Sequence, residues 1–221
     1  MDLGQQIAIY LGVFLLLWYI AAAAYNRRRG VRAYRWLRPG LAKLGPISDA
    51  RWIGSSGSGA RLVVGKADRP FRQVEAAFLL ETRELLPLWL INRLRGRRDA
   101  LILRADLRSS PRGELEVMRR GDSRLKGITA SGERNPWILS KVEFAGEFQS
   151  AQRGRVPEPL LEEVRIFLET AGACVRRMSF SLKSPHIILE ADLVGLMESP
   201  AESFFATMQR AFGGGTSAEQ A

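Results

Sequence analysis

The sequence predicts an α+β protein: one N-terminal transmembrane helix followed by a cytosolic mixed α/β domain. Three observations predict it. Residues 7–25 (IAIYLGVFLLLWYIAAAAY) are free of charge over 19 positions, about 28 Å of helix and close to the thickness of a hydrocarbon core. Beyond them, short runs of period-two alternation are interleaved with segments of helical apolar spacing, which fits strands and amphipathic helices in one domain. Finally, all 33 Lys and Arg follow residue 26, so charge is sorted by side of the apolar run.

The direction of the anchor follows from that sorting. Trp18, Tyr19 and Tyr25 sit toward one end of the run, where interfacial aromatics belong, and Arg27, Arg28 and Arg29 follow at once. No cation precedes the run. The positive-inside rule therefore puts residues 1–6 outside and the rest in the cytoplasm. A cleavable signal peptide needs a positive n-region, and Asp2 stands there instead. Residues 26–46 form a basic, amphipathic juxtamembrane segment. Tyr34, Leu37, Leu41 and Leu44 recur at helical spacing with Arg32, Arg35 and Lys43 elsewhere, and Pro39 predicts a break. The segment either lies at the headgroup level or packs on the domain.

The domain spans 47–212. A short strand at 50–53 leads into a Gly/Ser loop, and 61–66 and 73–80 read as strands. Residues 84–95 (ELLPLWLINRLR) predict a helix with the stripe Leu85, Leu88, Trp89 and Leu94, and Pro87 fits its first turn. Strands follow at 99–107, 113–118 and within 137–148, then a polar connection at 152–159. Residues 159–171 predict a helix with the stripe Leu160, Leu161, Val164, Phe167 and Leu168, stopped by Gly172. Two strands (178–182 and 187–193), a last helix (201–212) and a flexible tail (213–221) complete the chain. Residues 84–107 and 160–193 share an order, helix then strands, which leaves room for two similar β/α modules.

Several chemistries lack their parts. One cysteine, Cys174, forms no internal disulfide, and with one histidine, His186, it cannot build a structural zinc site. The stretch GSSGSG at 54–59 evokes a phosphate loop with Gly65 and Lys66. However, five residues separate Gly59 from Gly65, and Ala67 follows the lysine where a hydroxyl is needed. It reads as a hairpin or loop. His186 has no nucleophile elbow near it, and Cys174 beside apolar residues reads as packing. No catalytic, cofactor-binding or metal residue is expected, and no enzyme.

What remains is positive charge. Of 23 acidic residues only Asp2 precedes the anchor, so the part beyond it carries +11 against +10 for the whole chain. A field of that sign favours polyanions, either RNA or anionic headgroups. The candidate contacts are Arg27, Arg28 and Arg29; Arg93, Arg95, Arg97 and Arg98; and Arg119 and Arg120. Topology accounts for the first group, and the helix dipole for one or two of the second.

The order of these elements resembles a known family. An outward N-terminal anchor leads to a basic stretch with Trp36 and to DARWIGSSGSG. Then come FLLETRELLPLWLINRLRGRRDALILRADL and PLLEEVRIFLETAGACVRRMSFSLKSPHIILEADL. Together these look like the membrane-proximal and cytosolic core of the calumin-like family, coiled-coil ER membrane proteins that pair with Asterix in the PAT complex. The resemblance covers roughly residues 7–212 and rests on order and apolar pattern. It implies a non-enzymatic factor beside the Sec translocon and ribosome that assists multipass membrane proteins. Its implied partners are rRNA, a small Asterix-like subunit and an Oxa-type insertase. The family's acidic lumenal region and basic coiled coil have no counterpart here, so calcium binding is not carried over. Ribosome contact would fall to the basic core, as in a minimal prokaryotic or archaeal relative. The alternative is a membrane-tethered adaptor for a protein partner or anionic lipid.

Overall fold

The computed structural model describes residues 2–111, 113–122, 124, 137–139 and 147–213. Apart from Gly213, the expected tail lies outside the described residues, as does the middle of the 137–148 segment.

One helix, α1 (Leu3–Ala42), runs for 40 residues, about 60 Å at helical rise. It crosses the expected boundary at residue 26 without interruption. Its first half is apolar and uncovered; an 18-residue window within it has mean hydropathy 2.3, making it long and apolar enough to span a membrane. Its second half turns a stripe inward: Ala22, Asn26, Gly30, Ala33, Leu37, Gly40 and Leu41 are buried, at the three- and four-residue spacing of one helical face. Of the two placements open for 26–46, the segment therefore packs on the domain. The break expected at Pro39 is absent, because the proline lies inside the last turn. There, one lost backbone hydrogen bond is outweighed by the burial of Leu37 and Leu41 on either side.

The described residues form a nine-stranded antiparallel sheet with the order β1-β2-β3-β4-β9-β8-β5-β7-β6. The strands are β1 (Ile47–Trp52), β2 (Gly59–Val64), β3 (Phe71–Leu79), β4 (Ala100–Leu107), β5 (Glu114–Arg119), β6 (Ile138–Leu139), β7 (Phe148–Arg153), β8 (Val175–Phe180) and β9 (Ile187–Asp192). Helix α2 (Leu86–Leu94) joins β3 to β4, α3 (Glu158–Ala171) joins β7 to a short 3-10 turn before β8, and α4 (Leu193–Leu196) and α5 (Ala201–Ala211) follow β9. The α+β class predicted from sequence is the class observed. The two helix-then-strand units differ: β4 lies beside β3, whereas β5 separates β7 from β8.

Alternation decides the layers. Val74, Ala76 and Phe78 of β3, Leu101, Leu103 and Ala105 of β4, and Ile187, Leu189 and Ala191 of β9 all point to one buried face. The second half of α1, α3 and α5 cover that face, and Phe167, Phe204, Phe205 and Phe212 interlock between them. The opposite face carries ion pairs: Arg61 reaches Glu75 at 2.6 Å and Asp49 at 3.4 Å, and Arg177 holds both oxygens of Glu116 at 3.0 and 2.9 Å. The GSSGSG stretch is the β1–β2 hairpin turn, laid against α1 so closely that a Cβ on Gly30 would stand 1.8 Å from the Ser56 carbonyl oxygen.

Candidate functional site

The functional region builds up where α1 leaves its apolar half. Residues 80–99, between the paired ends of β3 and β4, fold back onto α1 and carry α2. Asp99, one residue before β4, is closed to solvent and is the centre of the contact. Its carboxylate accepts from Arg29 Nε at 2.5 Å, from Arg83 Nη1 at 3.0 Å and Nη2 at 3.1 Å, and from the Glu81 backbone N–H at 2.8 Å. Burial pushes the Asp99 carboxyl upward. The hydrogen bonds of Arg83 and Glu81 and the charges of Arg83 and Arg29 outweigh it, so the group sits below the usual aspartate range.

Asn26 completes the join. Its amide donates to the Glu81 carbonyl at 2.9 Å and to Glu84 Oε1 at 3.0 Å, while its oxygen accepts from Arg83 at 3.0 Å. Glu81 is itself buried, pairing with Arg83 at 2.9 Å and with Arg93 at 3.7 Å. Three arginines (29, 83 and 93) face three acids (81, 84 and 99), so the cluster is formally neutral. About two turns higher on α1, Trp18 Nε1 donates to the Arg83 carbonyl at 2.9 Å and its ring meets Trp89 of α2 at 5.6 Å. An apolar cleft of about 300 Å³ lies among Trp18, Ala21, Ala22, Tyr25, Arg83 and Trp89.

The expected arginines divide by what they touch. Arg29 and Arg93 belong to the neutral cluster. Arg27 and Arg28 are exposed on the outer face of α1, and among the described residues no hydrogen bond or ion pair engages their side chains. Arg32, Arg35 and Arg38, not among the expected contacts, extend that exposed face by helical spacing. Arg95 and Arg97 are exposed after α2, and Arg98 folds back on the carbonyls of Arg93 and Arg97 at 3.0 and 2.7 Å. Arg119 is spent internally: it donates to the carbonyls of Val175 at 2.9 Å and Gly172 at 3.2 Å and pairs with Glu147 at 3.5 Å. Arg120 follows it, with its N–H bonded to the Glu147 carbonyl at 2.8 Å. The start of β4, end of β9, start of β8 and end of β5 lie at one end of the sheet. All three clusters therefore border that end, with Arg119 three strand spacings from β4, about 14 Å away.

Sequence reasoning missed Asp99, Arg83, Glu81 and Asn26. Arg29 and Asp99 are 70 residues apart, and no spacing rule links them. The available signal was the isolated Asn26 at the end of the apolar run.

His186 and Cys174 lie outside this cluster. His186 Nδ1 accepts the Leu107 N–H at 3.1 Å and Nε2 meets Ser110 Oγ at 3.2 Å. The Cys174 thiol is pushed up by burial, with Asp192 and Glu198 adding to the effect and Arg119 opposing it, which is the reverse of an activated nucleophile. Among the described residues no three His, Cys, Asp or Glu side chains converge as a metal set.

Fold and site define an α+β domain packed and hydrogen-bonded against one long, membrane-length helix. Compared with known proteins, the chain matches no family model and no curated protein. The likeness to the calumin-like family rests on the residues quoted for it alone.

Proposed function

We propose that the chain is a membrane-anchored, non-enzymatic biogenesis factor, with its N-terminus outside and its domain in the cytoplasm. It works beside the Sec translocon and ribosome in the insertion and folding of multipass membrane proteins. The observation that carries this reading is the continuity of α1 from apolar run to core. A domain on a flexible tether samples many orientations, whereas here the helix continues into the core and the Asp99 cluster ties it to the domain. That suits a part which guides other chains at the bilayer surface. The exposed arginines of α1 and the +11 charge beyond the anchor supply attraction to rRNA.

The test is affinity purification of the detergent-solubilised protein from its native membrane at low salt, with mass spectrometry of its companions. Translocon subunits and ribosomal proteins are expected, and both should be lost as salt rises. Their absence at low salt overturns the reading. A tethered adaptor is the second reading, favoured by the uncommitted arginines at 27, 28, 32, 35 and 38. Recovery of one unrelated partner, without translocon subunits, selects it.

A further inference from the structure

Helix α2 is built the wrong way round for a soluble protein. None of its nine residues is buried, whereas α3 buries Leu161, Val164, Phe167 and Leu168 and α5 buries five residues. Its polar contacts point inward: Trp89 Nε1 donates to Glu81 Oε2 at 3.1 Å, and Arg93 lies against Glu81 and the Trp89 ring. Its outer face is Pro87, Leu90, Ile91 and Leu94, an i, i+3, i+4, i+7 stripe. Leu90 is 51%, Ile91 46% and Leu94 79% exposed.

The height of α2 says what covers that stripe. Through Trp89 it touches Trp18, which lies seven residues inside the apolar run from Tyr25 and nine from Arg27. At helical rise, Trp18 is about 10 Å inside the boundary that Tyr25 marks. The contact therefore places α2 beside the part of α1 that crosses the hydrocarbon. Two residues after Leu94, Gly96 turns the chain with φ 77°, and Arg95, Arg97 and Arg98 gather at that end, where anionic headgroups complement them.

We propose that α2 is an interfacial membrane helix that inserts its Leu90, Ile91 and Leu94 face into the domain-side leaflet, with the arginines after it in the headgroups. The usual depth of such helices, about 5–10 Å, agrees with the height of Trp18. The molecule then grips the bilayer at two points, α1 through it and α2 in it, which fixes the rotation of the domain about the anchor axis. This rests on α1 crossing the bilayer and not on the translocon reading.

The test uses the full chain with Cys174→Ser and one added cysteine labelled with an environment-sensitive fluorophore. The protein is placed at one copy per nanodisc, in phosphatidylcholine and phosphatidylglycerol with or without acyl-chain bromination. Labels go at Leu90→Cys, at Leu15→Cys in the anchor, and at Leu182→Cys in the β8–β9 loop at the far end of the sheet. Brominated lipid should quench Leu90 and Leu15 by about twofold or more at the stated depth, and leave Leu182 unchanged. Quenching at Leu15 without quenching at Leu90 overturns the proposal. If the Leu90 emission is then water-like the face is bare, and if it is blue-shifted the face packs against the rest of the chain. An unquenched Leu15 overturns the transmembrane reading, and the proposal with it. A Leu94→Cys label repeats the measurement one turn along, so a single perturbed site cannot decide the outcome.

Discussion

Asp99 concentrates the tie between anchor and domain in one side chain. Its carboxylate is 0% exposed and accepts four hydrogen bonds, from Arg29, Arg83 and the Glu81 N–H. In Asp99→Asn, Arg29 and Arg83 lose their common anion in a desolvated place. The expected cost is about 3–5 kcal/mol, read as a lower midpoint of denaturant unfolding in detergent. The pH dependence has a definite sign. The folded carboxyl lies below its ordinary range, so its contribution is complete above the ordinary aspartate pKa and fades as pH falls through the depressed folded value. Thermal midpoints should therefore drop on acidification in the wild type, and drop less in Asp99→Asn. None of this was legible beforehand, because a lone Asp before a strand has the same appearance in a solvated loop. His186 and Cys174 read from the sequence as packing residues for want of neighbouring partners; in the fold His186 accepts the Leu107 N–H.

At the scale of elements, α1 joins the domain through two glycines. A Cβ on Gly30 would strike the Ser56 carbonyl at 1.8 Å, and one on Gly40 would meet Ala201 Cβ and Phe205 Cδ2, each at 2.6 Å. Gly30→Ala should separate the β1–β2 turn from the helix and Gly40→Ala should separate α1 from α5. Each should cost about 1–3 kcal/mol despite the gain in helix propensity; paired thermal unfolding curves would check this. The apolar pattern of 31–44 did identify the packed face, since Leu37, Leu41 and Leu44 are fully buried. Pro39 misled because a proline's penalty was weighed without the tertiary contacts around it. Helix α2 gives the opposite lesson. Its stripe is as regular as that of α3, yet nothing in it is buried. An apolar stripe signals that a helix meets a nonpolar phase and does not say which one.

Across the whole molecule, positive charge is not one reservoir. Arg29, Arg93 and Arg119 are committed to internal partners, whereas Arg27, Arg28, Arg32, Arg35 and Arg38 share the outer side of α1. Replacing the latter five by Gln should change stability by no more than about 0.5 kcal/mol per site. The same change should weaken ribosome binding and flatten its dependence on salt, by about 0.7 in log–log slope for each arginine that meets a phosphate. Replacing Arg29 should instead lower stability, since Asp99 then keeps only Arg83 and the Glu81 N–H as partners. Sedimentation with ribosomes across a salt series, beside unfolding curves, distinguishes the two classes.

By itself the sequence determined the membrane-length helix, the α+β class and the excess of cations, because each follows from local composition or from periods of two and 3.6 residues. The pairing of Asp99 with Arg29, the continuity of α1 past Pro39, the uncovered face of α2 and the division of arginines into bound and free were decided only by the tertiary structure. Each depends on which residues, tens of positions apart, meet when one sheet closes on one helix. Contacts of that range leave no period in the chain.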